Sequence, residues 1–146
     1  MQLKKLEQGF EIVQQDKVIF RHTDVQPGIF VGTGKEKIAI HQGNFDIEDY
    51  LEARLPLVCT KVGDGEKKIV EFSLQGKPAL RMECAVAPND GMEITFQADC
   101  PEMNRFWLRL CAEEEECVWG CGEQMSYFNL RGRHFPLWTS EPGVGR

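Results

Sequence analysis

Residues able to bind a polar ligand are concentrated in the last stretch of the chain, residues 120–146. Glycines interrupt this stretch and no period of 2 or 3.6 residues runs through it, which is typical of a functional loop rather than a core element. The carboxylate, amide, guanidinium, imidazole and aromatic groups concerned belong to Glu123, Gln124, Tyr127, Asn129, Arg131, Arg133, His134, Trp138 and Glu141. No element follows to pack against them, so we expect this chain to be the opening domain of a larger protein.

Four consecutive residues of this stretch have the chemistry that sugars require. Trp138 offers a flat apolar face, and Thr139, Ser140 and Glu141 place two hydroxyls and a carboxylate beside it. A sugar ring stacks its apolar face on an aromatic side chain and hydrogen-bonds its hydroxyls to polar groups. The alternative interpretation is that Trp138 packs on the body of the domain and that Glu141 is a surface residue.

A complete catalytic apparatus is not visible in the sequence. The three histidines, His22, His41 and His134, are far apart and lack the spacing of metal ligands. We interpret His22 and His41 as surface residues of strands. The glycine pairs at 32–34 and 63–65 lack the following helix that a phosphate-binding loop requires, so both predict turns.

The six cysteines indicate neither a disulfide scaffold nor a metal centre. Disulfide scaffolds are short secreted chains, whereas this chain can form a core and shows no secretion signal. Cys59, Cys84 and Cys111 lie in apolar strand patterns and are predicted to be small buried hydrophobes. Cys117 and Cys121 have the spacing of half a zinc site, but no matching second pair exists, and no base near Cys121 marks it as a nucleophile. We therefore predict no metal and no cofactor.

The overall charge restricts the class of partner. A formal net charge of -6 and a pI near 5.1 argue against nucleic acid or an anionic membrane surface. The compact basic cluster of Arg131, Arg133 and His134 is still compatible with a small anionic ligand. The N-terminus has no apolar region of a signal peptide, and no apolar run approaches the roughly 18 residues of a membrane helix. We predict a cytoplasmic protein without a membrane segment.

The elements that must position the loop are predicted to be strands. Runs of apolar and β-branched residues alternate with Gly, Asp, Asn and Pro turns, and no long helical pattern occurs. The clearest predicted hairpins join residues 10–14 to 17–21 and residues 68–74 to 79–86, and a third turn at 88–91 precedes a strand at 92–98. About ten short strands of this kind predict an all-β, antiparallel β-sandwich.

Other stretches give more specific expectations. Residues 28–31 and 37–41 are predicted to be two strands separated by a glycine turn. Residues 45–50 are predicted to be a strand, with a short helical turn over 47–54 as the alternative. Residues 105–111 are strongly apolar, as expected for a central strand. The acidic run that follows them predicts a solvated hairpin tip rather than a cation site.

The terminal stretch also contains motifs that resemble a known family. Gly120-Cys-Gly-Glu123, a Tyr- and Arg-rich spacer and Phe135-Pro-Leu-Trp-Thr-Ser-Glu141 resemble the N-terminal domain of glycoside hydrolase family 31, whose members are retaining α-glycosidases. The ending Trp-Thr-Ser-Glu-Pro-Gly-Val-Gly-Arg146 is similar to the sulfoquinovosidase branch, which cleaves α-glycosides of a 6-sulfonated glucose. Arg105-Phe-Trp-Leu-Arg-Leu110 fits the same branch.

This resemblance implies a fold and a domain arrangement. Residues 1–146 would form a single galactose-mutarotase-like β-sandwich at the N-terminus, ahead of a catalytic (β/α)8 barrel that is absent from this chain. The loop over residues 120–146 would reach over the mouth of the barrel and wall the substrate pocket. The implied partners are an α-sulfoquinovoside or related α-glucoside and the barrel of the same polypeptide.

The resemblance also implies roles for individual residues. Many family members carry Asn-x-Asp where this chain has Thr139-Ser140-Glu141, and that Asp hydrogen-bonds sugar hydroxyls. Glu141 is therefore expected to contact the substrate, with Trp138 and Thr139 beside it. The residues expected to hold the loop in place are Glu123, Gly120 and Gly122.

No catalytic residue is expected in this chain. Retaining glycosidases need two carboxylates about 5 Å apart, and in the family both are barrel Asp residues. We expect Arg131 and Arg133 at the surface or at a domain interface rather than as sulfonate ligands. Two other functions stay open: a free-standing carbohydrate-binding module, and a mutarotase-like epimerase, which would need a His and a carboxylate facing one concave site.

Overall fold

Ten β-strands, and no helix, make up the regular structure of the described residues. The computed structural model describes residues 1–41, 44–120 and 128–133, and only the backbone of residues 44 and 45. The strands are β1 Gln2–Leu6, β2 Gly9–Gln14, β3 Lys17–Thr23, β4 Ile29–His41, β5 Asn44–Pro56, β6 Val58–Val62, β7 Lys68–Leu74, β8 Lys77–Ala87, β9 Gly91–Ala98 and β10 Arg105–Leu108.

The strands form three antiparallel sheets. Their orders are β1-β2-β3, β10-β4-β5 and β6-β7-β8-β9, so hairpins connect most neighbours. The predicted all-β antiparallel sandwich is thereby confirmed. Strand β1, which the sequence did not single out, pairs with β2 along its whole length.

Three hairpins close through tight turns whose central residues both have positive φ. This geometry matches the right-handed twist of the paired strands, and Gly, Asn and Asp tolerate it best. The pairs are Gln15 and Asp16 (48° and 66°), Gln75 and Gly76 (51° and 81°), and Asn89 and Asp90 (62° and 58°). The turns predicted at these positions therefore set the register of β2–β3, β7–β8 and β8–β9.

The core takes side chains from all three sheets. Its most deeply buried members include Phe10, Ile29, Val70, Phe72 and Met82, each 2% exposed or less. Removing such a side chain from water stabilises the fold by about 1.5–3 kcal/mol each. This cluster therefore joins residues of all three sheets.

The predicted turn at 32–34 is wrong, because β4 runs without interruption from Ile29 to His41. The glycines of this strand make room for neighbouring backbone. A Cβ on Gly32 would stand 2.0 Å from the carbonyl oxygen of Ala53. At Gly34, the side-chain amide of Asn104 donates to the carbonyl and accepts from the N–H, at 3.0 Å each. Close approach of another chain segment, rather than a turn, explains both glycines.

The helical alternative over 47–54 is also wrong, since this stretch belongs to β5. The strand continues to Pro56, where the ring removes the backbone donor that a further ladder bond would need. The next residue, Leu57, donates its N–H to the carbonyl of Ile29 at 3.1 Å. Its side chain is 2% exposed, so the chain enters the core between β5 and β6.

His22 corrects a further expectation, since this residue of β3 is fully buried rather than at the surface. Its Nδ1 accepts the backbone N–H groups of Gly28 and Ile29 at 3.3 and 3.2 Å. The imidazole also stacks on Phe10 and meets the edge of Phe72. These two hydrogen bonds satisfy Nδ1 and offset part of the cost of burying a polar ring, whereas the buried Nε2 has no hydrogen-bond partner among the described residues. Burial lowers the pKa of His22. The carbonyl of Leu57 and the charge of Asp24 act in the opposite direction, but their effect on the pKa is smaller.

Strand β10 occupies an edge, not the centre, of its sheet in the described part of the chain. It ends at Leu108, and its neighbour on one side is β4. The expectation of a central strand over 105–111 was drawn from apolar composition. That composition is real, but its side chains are more exposed than those of a central strand.

The chain divides into two compact units. The first comprises Met1–Lys35 with Tyr50–Cys111, and the second comprises Glu36–Asp49 with Ala112–Arg146. The hydrophobic core lies in the first unit. No helix in the described ranges is long and apolar enough to cross a membrane.

Candidate functional site

The predicted substrate-contacting residues Trp138, Thr139 and Glu141 lie outside the described residues, as do Gly122 and Glu123. Their roles stay predictions. Gly120 is described, and its φ of 116° is a conformation that glycine adopts readily and other residues do not. No atom of the described residues lies within 4 Å of the position that a Cβ would take at Gly120. Backbone conformation, rather than crowding, explains glycine there.

The described part of the terminal stretch, residues 128–133, is held by one asparagine. The Oδ1 of Asn129 accepts the N–H groups of Val118 and Arg131, both at 3.1 Å. Its Nδ2 donates to the sulfur of Cys117 at 3.4 Å. The N–H of Leu130 donates to the carbonyl of Val118 at 2.8 Å, and the Leu130 side chain is buried. Residues 129 and 130 are therefore hydrogen-bonded to residues 117 and 118, which precede the glycine motif.

Arg131 holds the acidic turn that precedes the stretch. Its Nη1 donates to the carbonyl oxygens of Glu113 and Glu116. Within the turn, the N–H of Glu116 donates to the carbonyl of Glu113, and the Glu116 carboxylate accepts the N–H of Glu113, at 3.1 Å each. The guanidinium thus bonds backbone carbonyls at the ends of this turn. The acidic run is an exposed turn, as predicted, but it is not the tip of a strand hairpin.

We call residues 113–119 together with 128–133 the loop base. Two large aromatic side chains of the loop base are exposed, and the sequence reasoning passed over both. The rings of Trp119 and Phe128 meet edge to face with centroids 6.3 Å apart. They are 61% and 86% exposed. Exposed neighbouring aromatics mark a surface that contacts something else. Their position on either side of the glycine motif is the signal that could have identified them.

A second candidate surface is an open groove of about 650 Å³ on the β6–β9 sheet. Polar side chains that could bind hydroxyls line it, namely Thr60, Glu71, Ser73, Arg81, Gln97 and Asp99. Glu71 is already paired with Lys61 at 3.6 Å. The aromatic residue of the lining, Phe72, is buried in the core. The groove can therefore hydrogen-bond a sugar but offers no exposed aromatic face.

Of the three cysteines predicted to be small buried hydrophobes, Cys84 is buried, whereas Cys59 and Cys111 are half-buried. Cys84 is buried, and desolvation raises the pKa of its thiol to about 11, so it is unreactive at neutral pH. Cys59 is half-buried on β6, and burial raises its pKa too. Cys111 is half-buried but follows β10 rather than lying within a strand, so that part of the prediction is wrong. Cys117 is exposed, and Cys121 lies outside the described residues.

Comparison with known proteins identifies relatives along the entire chain. The sulfoquinovosidase of Agrobacterium fabrum (strain C58) is 43% identical over 146 residues, which are 100% of this chain and 21% of that protein. The sulfoquinovosidase of Escherichia coli (strain K12) is 36% identical over 139 residues, which are 94% of this chain and 20% of that protein. No protein-family model matches.

A solved structure agrees with these two relatives. A glycoside hydrolase family 31 sulfoquinovosidase from E. rectale, in complex with an aza-sugar inhibitor, matches this chain with a TM-score of 0.86 and 42% identity. The match covers 100% of this chain and 21% of that one. The chain therefore spans about a fifth of the length of the proteins it resembles. The predicted resemblance is confirmed.

Proposed function

We propose that this chain, a homologue of the N-terminal region of glycoside hydrolase family 31 sulfoquinovosidases, is the non-catalytic β-domain of an α-glycosidase that hydrolyses α-sulfoquinovosides. The observation that carries the proposal is likeness in both sequence and fold along the whole chain. Identity at this level extends through the sandwich strands as well as the terminal motif. The likeness therefore covers the whole chain and is not limited to one short motif.

The proposed role of the domain is to support a catalytic barrel and to complete its substrate pocket. Retaining hydrolysis uses two carboxylates about 5 Å apart, one as nucleophile and one as acid and base. We assign both to the barrel and neither to this chain. The loop over residues 120–146 is the part assigned to the pocket. Support comes from the loop base, where the bonds of Asn129 and Arg131 fix the backbone on both sides of residues 121–127.

The first test is the native coding sequence beyond Arg146. The proposal expects several hundred further codons that include two barrel Asp residues. A stop codon directly after Arg146 would contradict the hydrolase function and favour a sugar-binding module. The second test is turnover: the 146-residue chain by itself should not hydrolyse an aryl α-sulfoquinovoside. Measurable hydrolysis by the purified chain would contradict the assignment of catalysis to the barrel.

The substrate role of the loop is tested by Glu141→Ala in the complete enzyme. We expect kcat/KM to fall by about 10-fold or more, because a hydrogen bond to a charged group contributes roughly 1.5–3 kcal/mol. The matched control is Glu114→Ala, which removes a carboxylate from the exposed acidic turn. An unchanged kcat/KM for Glu141→Ala would show that Glu141 does not contribute to substrate binding or catalysis.

The second candidate function is a free-standing carbohydrate-binding module, and the groove on the β6–β9 sheet is the observation that favours it. Titration calorimetry of the 146-residue chain with an α-glucoside and with sulfoquinovose tests this function. Binding that Arg81→Ala abolishes would establish the groove as a sugar site. A mutarotase-like epimerase would need a histidine and a carboxylate facing one concave site, and the described lining of this groove contains carboxylates but no histidine.

A further inference from the structure

The outer face of the β10-β4-β5 sheet carries a buried aromatic ring. Phe30 lies on β4 between Ile29 and Val31, whose side chains belong to the hydrophobic core. Because successive side chains of a strand point to opposite faces of the sheet, Phe30 points away from that core. Its side chain is nevertheless only 9% exposed. Other side chains on the outer face therefore cover the ring.

Two arginines, one from each flanking strand or its end, lie over this ring. The Cζ of Arg54, on β5, is 4.4 Å from the centroid of the Phe30 ring, and the Cζ of Arg109, directly after β10, is 5.2 Å from it. Arg54 also lies over Trp107, which is paired with Phe30 in the register of β10 and β4. The two guanidinium groups therefore converge on one aromatic residue, within the reach of a single small ligand.

Neither of these guanidinium groups pairs with a carboxylate within residues 1–41, 44–120 and 128–133. A cation–π contact engages the face of the ring and supplies no lone pair to the N–H groups. Elsewhere on the described surface, cations lie beside carboxylates. Examples are Arg21 with Glu11, Lys35 with Glu52 and Lys67 with Glu83. In a chain of net charge -6, Arg54 and Arg109 thus form a local excess of positive charge.

The chemistry of this pair selects one kind of ligand. Two neighbouring cations repel each other unless an anion lies between them. Each guanidinium presents its N–H donors in a planar fork that matches the oxygens of an anion. A carboxylate has two oxygens, and a single fork can bond both of them. A sulfonate, sulfate or phosphate group has more oxygens, which two forks from different strands can share.

We propose that Arg54 and Arg109 form a binding site for one tetrahedral oxyanion group of a small molecule: a sulfonate, a sulfate or a phosphate. Phe30 supports the two guanidinium groups and leaves their N–H donors to the ligand. The existence of the site is independent of the proposed function. A sulfonated sugar as the source of the oxyanion group is the part that rests on the proposed function.

Protection of arginine side chains from phenylglyoxal tests the proposal in the complete protein. Peptide mass spectrometry follows the modification of Arg54 and Arg109 in sodium sulfate and in sodium chloride of equal ionic strength, because salt alone screens surface charge. We expect sulfate at about ten times its dissociation constant to slow both modifications by about 10-fold. Arg21 is the internal control, since it already pairs with Glu11, and its rate should be the same in both salts.

A single substitution tests whether the two arginines share one ligand. In Arg54→Gln, the protection of Arg109 by sulfate should disappear, because one fork alone would hold the anion weakly. Arg21→Gln is the matched control, since it removes a guanidinium from β3, and it should leave the protection of Arg109 unchanged. Circular dichroism establishes that each variant is folded before the modification.

Three results would overturn the proposal. The first is equal modification of Arg54 and Arg109 in sulfate and in chloride. The second is no modification of either residue in chloride while Arg21 reacts, because another part of the protein would then cover this face. The third is protection of Arg109 that persists in Arg54→Gln.

Further ligands identify the source of the oxyanion group. Protection by sulfoquinovose at a lower concentration than by methanesulfonate would support the site with a sulfonated sugar as its ligand. Equal concentrations would support the site with the free anion as its ligand. Protection by glucose, which carries no charge, would overturn the proposal. Hydrolysis of the aryl α-sulfoquinovoside is measured separately: protection without hydrolysis would contradict the proposed function alone, and hydrolysis without protection would contradict the oxyanion site alone.

Discussion

The hydrophobic core and the loop base are held by different forces. In the core, Phe10, His22 and Phe72 are removed from water and pack on one another, with ring centroids 5.2 to 6.1 Å apart. In the loop base, Asn129 and Arg131 bond backbone groups while remaining exposed. Leu130 is the buried apolar side chain among residues 128–133.

This difference implies that the core and the loop base contribute to different properties of the domain, its stability and its local backbone conformation. Apolar burial supplies most of the free energy of folding, whereas exposed hydrogen bonds largely replace bonds to water. The core should therefore determine whether the domain folds, and the loop base should determine only the local backbone path. The loop base can therefore adjust locally without unfolding of the core.

Phe72→Ala should give the largest effect. Truncating a fully buried aromatic side chain costs about 3–5 kcal/mol, through lost burial and the cavity left behind. The unfolding free energy from urea titration should fall by this amount. Val25→Ala, at an exposed position, should change it by less than about 0.5 kcal/mol. Equal effects of the two substitutions would mean that this cluster does not govern stability.

Gly32→Ala should come next, although it adds only one methyl group. The new Cβ would collide with the carbonyl oxygen of Ala53, which is backbone and cannot move aside freely. We expect a loss of roughly 2–4 kcal/mol, measured by the same titration, since overpacking forces backbone shifts. Gly65→Ala is the control, because its Cβ would stand 3.3 Å from the nearest atom. A neutral Gly32→Ala would contradict close approach as the reason for this glycine.

His22 should make the core sensitive to pH. Because burial lowers its pKa, the folded protein binds the proton less readily than the unfolded chain does. Stability is therefore fully present above the unfolded value near 6.5 and falls as the pH drops below it, by at most about 1.4 kcal/mol per pH unit. Urea titrations between pH 5 and pH 7 measure the slope.

Two variants isolate the contribution of His22. His22→Phe should be less stable at neutral pH, since the N–H groups of Gly28 and Ile29 lose their acceptor. Its stability should also lack the fall below pH 6.5 that the parent protein shows. His41→Asn should keep that fall, because His41 is exposed. Parallel pH curves for the parent and His22→Phe would rule out His22 as the group responsible.

Arg131→Ala should have the smallest effect on stability and a local effect on exchange. The unfolding midpoint should stay within experimental error, because exposed polar contacts contribute little. Amide exchange at Glu116 should accelerate by about 5-fold or more as the turn loses its two guanidinium bonds. Arg81→Ala is the control, as Arg81 lies outside the loop base. A large drop in the unfolding midpoint would contradict the claim that the core, and not the loop base, determines the stability of the domain.

Local signals predicted most of the fold. The hairpins followed from turn residues such as Asn89 and Asp90, whose positive φ values suit a two-residue turn. The errors arose where a contact outside the local pattern decided the outcome. Glycine is required at position 32 by the approach of the Ala53 backbone, and the backbone N–H groups of Gly28 and Ile29 supply donors to the buried His22. Such contacts leave no periodic trace in the sequence.

Less of the candidate site than of the fold could be predicted from the sequence. The sugar-contacting roles of Trp138 and Glu141 came from chemistry and family likeness, and both residues lie outside the described ranges. The bonds of Asn129 and Arg131 to residues 113–118 could not be foreseen, because these partners lie 11 to 18 residues away in irregular backbone. Composition correctly identified β10 as strand but not its place in the sheet.

Hydrolysis by the protein from the complete coding sequence tests the central claim most directly. Initial rates are measured with an aryl α-sulfoquinovoside and with the matching aryl α-glucoside, and proton NMR records the first anomer released. We predict preferential hydrolysis of the sulfonated substrate with release of the α-anomer, as retention requires. No hydrolysis of either substrate, or first release of the β-anomer, would contradict the assignment to a retaining α-sulfoquinovosidase.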